Sequence, residues 1–340
     1  MGAEESTAPT DMWPQPGCRQ ANDSERGPRP IAVACFASLG AILFVIARLV
    51  AHDGDITSFM RVGDEWIVEG AEEREDFALV GGIGYDGQYF YRQAINPLST
   101  AVHVDGIPLD RPAYRSARIT YPTIAWALSG GGQRELVPWV LPAINVIAIG
   151  AIGGVGATLA RREGRTTWWG AVFAAWPGFI VGLGFNLAEP VAAALVLWGV
   201  LELRREHHWV AGVALSAAVL TRESALIVSA ALVGVWLLRR VRFAGIPDRL
   251  VGTRLSKIHL APMLAPPVAY LGMQWWMARR FPGDTAEATS QSATHLGNLP
   301  GAPLVRQLAE WVSSGSTVQL FQLVQVLGRW HFSSSLSSRH

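Results

Sequence analysis

The chain has 340 residues, half of them hydrophobic and only 16% charged, with a mean hydropathy of +0.24. An ordinary globular domain carries about 25% charged residues. Here the apolar residues gather in blocks separated by short arginine-rich punctuation, the pattern of a bilayer protein. A formal net charge of +1, sorted by region rather than pooled on one face, leaves no footprint for nucleic acid. The two cysteines, Cys18 in a polar stretch and Cys35 in an apolar one, exclude a disulfide framework and a cysteine metal site.

Residues 1–30 are polar, proline-containing and aperiodic, the composition of a disordered cytoplasmic tail. Residues 31–51 are an apolar run broken only by Arg48. That is long enough to cross a hydrocarbon core of ~30 Å, and without a basic lead or a small-residue cleavage site it reads as a retained anchor. Residues 52–118 hold twelve acids and six arginines, with aromatics clustered around Tyr85–Tyr91. The positive-inside rule places so acidic a segment outside.

Residues 119–130 are apolar but too short to cross, whereas 136–160 are long enough. Residues 167–203 lie between Arg161-Arg162-Glu163-Gly164-Arg165 and Arg204-Arg205, and 209–238 between that pair and Arg239-Arg240-Val241-Arg242. With arginine clusters on the inner side, each stretch is a helical hairpin. The first turns near Gly184-Phe185-Asn186-Leu187-Ala188-Glu189-Pro190 and the second at Thr221-Arg222-Glu223-Ser224. Each arm of the second reaches roughly 22 Å, so its tip lies below the outer surface. Residues 259–278 read as another span and 318–330 as a weak last one before a Ser-rich end; Arg279-Arg280 falls outside by parity and resists this topology. The expectation is an all-α, polytopic protein of the cell membrane with a cytoplasmic N-terminus. It has a large extracytoplasmic loop (52–118), a multi-span helical domain (119–278) and an outer segment (279–340).

Ionisable groups beside membrane spans are expensive, and each invites a functional hypothesis. In Tyr85-Asp86-Gly87-Gln88-Tyr89-Phe90-Tyr91-Arg92, rings suit the faces of a sugar and the carboxylate suits a hydroxyl proton; an interfacial aromatic belt is the plainer reading. His52-Asp53-Gly54-Asp55 could hold a divalent cation or supply a base, or could be a solvated helix end. Arg111, Arg115 and Arg118, just ahead of Tyr121-Pro122, present planar forks for phosphate oxygens, or snorkel to ordinary headgroups. Glu189 and Arg222-Glu223 sit at the hairpin tips, and Arg222 and Glu223, adjacent in sequence, call for different partners. No nucleotide-binding glycine loop and no metal-ligand spacing is present.

Taken together, Tyr85-Asp86-Gly87 with Tyr89 and Tyr91, Arg118…Tyr121-Pro122, Leu187-Ala188-Glu189-Pro190 and Thr221-Arg222-Glu223-Ser224 resemble the GT-C membrane glycosyltransferases. The closest pattern is that of the GPI mannosyltransferase II-like branch and related bacterial proteins, over roughly residues 31–240. The resemblance implies a GT-C-like helical bundle with an extracytoplasmic active site. It also implies inverting transfer of a sugar from a polyprenyl phosphate donor to a glycan or glycolipid acceptor. It makes Asp86 the catalytic carboxylate, with Asp55 as runner-up, and gives the donor phosphate to Arg118, Arg222 and Arg115. Glu189 and Glu223 would then line the pocket with Tyr85, Gln88, Tyr89, Tyr91, Arg92 and Tyr121. A non-catalytic lipid-phosphate-binding or glycolipid-translocating protein is the alternative, and an ion or solute transporter ranks last because no internal repeat is evident.

Overall fold

The structure, a computed structural model, describes residues 27–65, 77–101, 103–240 and 260–282. The proposed tail (apart from its last residues), most of the basic segment after Arg240, and the weak last span lie outside the described residues. Within them the chain is mostly helical, as an all-α reading requires. Two helices are long and apolar enough to cross a membrane: α1 (Pro30–Ala51) and α5 (Val137–Arg162).

These two helices pack along one another through a glycine stripe. A Cβ at Gly153 or Gly154 would stand 3.0 Å from the Cβ of Ala37 or Ala34 of α1. Small residues let the backbones close, so packing rather than side-chain bulk joins the pair. Val33, Phe44 and Val45 of α1 pack inward, whereas Ile31, Phe36, Leu43 and Val50 point the other way and are exposed.

The first hairpin forms as α6 (Trp168–Ala174), α7 (Pro177–Gly184) and α8 (Glu189–Arg204). Pro177 breaks its ascending arm, because proline cannot donate to the preceding turn. Its turn falls at residues 185–188, where the sequence places it. The stretch read as the second hairpin forms as α9 (His208–Thr221) and α10 (Leu226–Arg240), joined by the 3-10 turn Glu223–Ala225, but its two helices do not pack along one another: α9 packs on α8 instead, and α10 on the helix that follows. A further helix, α11 (Leu260–Arg280), packs on α9.

The long polar segment has structure of its own. The 3-10 turn Ile56–Phe59 leads to β1 (Val62–Gly63), which pairs in parallel with β2 (Leu79–Val80). Then come α2 (Asp86–Ile95), the β3–β4 hairpin (His103–Val104, Ile107–Pro108) and α3 (Pro112–Ser116), followed by α4 (Thr120–Leu128). At nine residues α4 spans roughly 14 Å, well short of a crossing. The main core joins this segment to the bundle: Phe90 and Tyr91 of α2, Tyr121 of α4, Leu141 of α5 and Val191 of α8 share one cluster.

Candidate functional site

The site grows from the start of α2. Tyr85 is extended, and the helix begins at Asp86, whose carboxylate lies at the positive end of the helix dipole. Gly87 permits the next contact. A Cβ there would lie 2.3 Å from the Phe185 carbonyl oxygen and 2.8 Å from that of Met60. The Tyr85-Asp86-Gly87 motif is therefore wedged between the first hairpin's turn and the segment leaving α1, with the Tyr85 ring 5.2 Å from that of Phe185.

Three arginines from different parts of the chain converge on Asp86. Arg115, in α3, brings Nη1 to 2.5 Å from Oδ1; Arg118, just beyond α3, brings Nη1 to 3.2 Å from Oδ2. Arg222, the residue that ends α9, approaches Oδ2 at 3.8 Å. Each arginine also has a second carboxylate. Arg115 forks onto Asp110 (Nε 2.9 Å, Nη2 3.1 Å), and Arg118 forks onto Glu223 (Nε 3.1 Å, Nη2 2.8 Å). Arg222 pairs with Glu189. Arg222 and Glu223 thus take separate partners, as adjacent residues must. Two rings floor the arrangement: Tyr89 lies 4.1 Å beneath the Arg115 guanidinium, and Tyr114 4.3 Å beneath that of Arg118, from which its hydroxyl also accepts a hydrogen bond.

The charges hold one another in place. Burial alone would raise the Asp86 carboxyl, but Arg115, Arg118 and Arg222 outweigh it and hold it below the ordinary aspartate value. The same balance, burial opposed chiefly by Arg118, lowers Glu223. Arg115 and Arg118 are raised despite burial, by Asp110 and Asp86 in the first case and chiefly Glu223 in the second. Burial, aided by Asp110, pushes the Tyr89 hydroxyl up to about 12, so it stays protonated. Three guanidinium groups face four carboxylates, and the cluster carries a net charge of −1.

Of the sequence-derived candidates, Asp86, Arg115, Arg118, Arg222, Glu189, Glu223, Tyr85 and Tyr89 come together. The rest of the motif does not. Gln88 is buried, accepts from the Gly63 N–H at 3.2 Å and donates to the Ile83 carbonyl at 2.9 Å. The Tyr91 hydroxyl donates to Asp105 at 2.6 Å, and buried Arg92 donates to the Ala101 carbonyl. Desolvation lowers Arg92 to about 10. The reason is helical period: residues 86 and 89 share a face of α2, while 88, 91 and 92 turn into the core. Tyr121 is a core residue whose hydroxyl donates to the Leu141 carbonyl at 3.0 Å. Asp55 accepts from the Thr57 N–H at 2.7 Å and caps its own 3-10 turn. Among the described residues no group of three or more His, Cys, Asp or Glu is placed to hold a metal ion.

Asp110 and Tyr114 belong to the site and were missed from sequence. Tyr114 stands four residues before Arg118, a helical-face spacing that could have flagged it; Asp110, five residues before Arg115 and outside α3, carried no such signal. No family model, no curated protein and no solved structure matches the chain.

Proposed function

We propose that the chain is a multi-pass membrane glycosyltransferase of the GT-C type. It transfers a sugar from a polyprenyl-phosphate donor, with inversion, to a glycan or glycolipid of the cell envelope. The observation that carries this reading is a single carboxylate, Asp86, ringed by three arginines over two tyrosine rings where both hairpin turns meet the 52–118 segment. The multi-pass part draws on exposed apolar side chains well beyond α1 and α5: Trp169 and Trp176 by α6 and α7, Trp209 and Val213 on α9, Val268 and Trp275 on α11. Apolar surface on this scale marks helices that face something other than water.

In the proposed reaction the acceptor hydroxyl attacks the anomeric carbon as its proton passes to the Asp86 carboxylate. The bond from that carbon to the phosphate oxygen breaks, and the phosphate leaves with the electron pair. Arg115, Arg118 and Arg222 stabilise the charge developing on the phosphate, often the largest single contribution to such catalysis. The arrangement also sets the timing. While the arginines neutralise Asp86 it is a weak base. An anionic phosphate that draws off part of their charge raises its basicity as the donor arrives.

The weak basicity of the resting Asp86 also favours a second reading, a lipid-phosphate-binding or glycolipid-translocating protein without chemistry. Asp86→Asn separates the two. Mass spectrometry of envelope glycans, with wild type or variant restored to a strain lacking the gene, is expected to show a glycan lost in the variant while the protein remains inserted. A glycan fully restored by Asp86→Asn refutes the catalytic role.

A further inference from the structure

Beside the cluster stand two arginines with no carboxylate to answer them. Arg48, in the last turn of α1, and Arg61, just before β1, lie over the same ring, that of Phe185, with Cζ 5.7 Å and 5.1 Å from its centroid. The two guanidinium carbons are thus no further apart than those distances combined. Phe185 in turn packs on Tyr85, the neighbour of Asp86.

Three observations set this pair apart. First, neither arginine makes an ion pair among the described residues, whereas the arginines around Asp86 are outnumbered by carboxylates. Second, Arg48 donates from Nη2 to the Ser58 carbonyl at 3.1 Å, but its Nε is buried without a hydrogen-bond partner. Buried donors are nearly always paired, so this Nε is a donor that an acceptor would satisfy. Third, Arg61 holds φ at +56°, the left-handed region that glycine enters freely and arginine rarely does. Its carbonyl is fixed there by the Tyr85 N–H at 3.0 Å. An arginine kept where glycine would be unstrained points to use of its side chain.

We propose that Arg48 and Arg61 form an anion site for the terminal phosphate of a polyprenyl-phosphate lipid, next to the Asp86 cluster and separate from it. The planar guanidinium forks match phosphate oxygens, and contact with the shared Phe185 ring limits their orientations. Arg48 lies in the last turn of a helix of membrane-crossing length, and a span by that helix would bring its guanidinium near the headgroup phosphates. The site deepens the transferase reading by giving the donor a resting anchor that displaces no carboxylate. It rests on that reading only for the choice of lipid.

The test uses the purified full-length protein in detergent, with binding of a polyprenyl monophosphate, inorganic phosphate and phosphatidylglycerol measured separately. Wild type is expected to bind the polyprenyl phosphate, with inorganic phosphate competing weakly at the same site. Arg48→Gln and Arg61→Gln are each expected to weaken binding at least tenfold. Arg61→Gly is the decisive variant: it removes the charge and the strain together, so binding falls while the melting temperature holds or rises. Unchanged affinity in these variants overturns the proposal. So does a loss of binding in Arg61→Gly that merely follows a fall in melting temperature. Binding of inorganic phosphate without the lipid would assign the site to a soluble anion, and equal binding of phosphatidylglycerol would reduce it to ordinary headgroup contact; both defeat it. Sugar transfer is not read, so an inactive protein that binds leaves this site standing, and an active one that fails to bind here leaves the transferase standing.

Discussion

Replacing Arg118 by Met tests whether the charged cluster holds the loop to the bundle. Arg118 joins Asp86 of α2 to Glu223 of the second hairpin, and its own side chain is 6% exposed. Stripping one partner from a buried pair costs roughly 3–5 kcal/mol, since the other charge is left uncompensated. Here the carboxylates are 27% and 40% exposed, so solvent screens part of that, and about 2–3 kcal/mol is a fair expectation. Both carboxyl groups are held below their ordinary values of 3.8 and 4.5. Groups depressed in the folded state stabilise it fully above the unfolded pKa, and that stability is lost as pH falls through the folded pKa. The wild type should therefore exceed Arg118→Met by the full amount near pH 7, and the gap should close only as pH falls below the ordinary carboxylate values and through the lower folded ones. Intrinsic tryptophan fluorescence during heating, in detergent at pH 7.5 and again at about pH 2, reads both. At about 2 °C per kcal/mol, the large-domain end of the usual scale, the gap at pH 7.5 is roughly 4–6 °C. A gap unchanged at about pH 2, or a variant as stable as wild type at pH 7.5, refutes the reasoning.

Gly87→Ala places a methyl group against two backbone carbonyls and should cost about 3 kcal/mol, the upper part of the overpacking range, with loss of any Asp86-dependent product in the glycan profile. Tyr91→Phe removes the donor to buried Asp105 and should cost about 1–2 kcal/mol in the same thermal assay. Because Tyr91 faces the core and not the cluster, that variant should still bind polyprenyl phosphate as wild type does.

Where the sequence was informative, the signal was periodic or punctuated. Arginine clusters bracket 167–203 and 209–238, and the turns fall at 185–188 and 222–225, because proline, glycine and charged residues interrupt runs that are otherwise apolar. Gly150, Gly153 and Gly154 face α1, and Gly156 faces Gly170 of α6. The convergence was readable because Arg118, Glu189, Arg222 and Glu223 are ionisable groups at the ends or turns of apolar stretches, and Asp86 lies among the aromatics of the 52–118 segment. Within 85–92, by contrast, the loop reading gave no face to choose, so Gln88, Tyr91 and Arg92 were grouped with Asp86. Only the helix starting at Asp86 separates them. Arg48 and Arg61 escaped notice for another reason. What distinguishes them is a shared ring, a buried Nε and a positive φ, none of which exists before the chain folds.

The lengths of the helices explain why the site lies where these elements meet. In the proposed orientation α1, with 22 residues, rises about 33 Å, whereas α8, with 16, and α9, with 14, rise about 24 Å and 21 Å. If their other ends share the inner face, the hairpin turns stop roughly 10 Å below the end of α1. Glu189, Arg222 and Glu223 would then be charges at a depth that neither bulk water nor lipid can serve. The segment leaving α1 fills that gap: Met60, β1 and the start of α2 descend onto Phe185, and Arg115 and Arg118 supply cations to the two tips. Short hairpins therefore require a structured loop to satisfy their tips, and the loop requires buried carboxylates to dock.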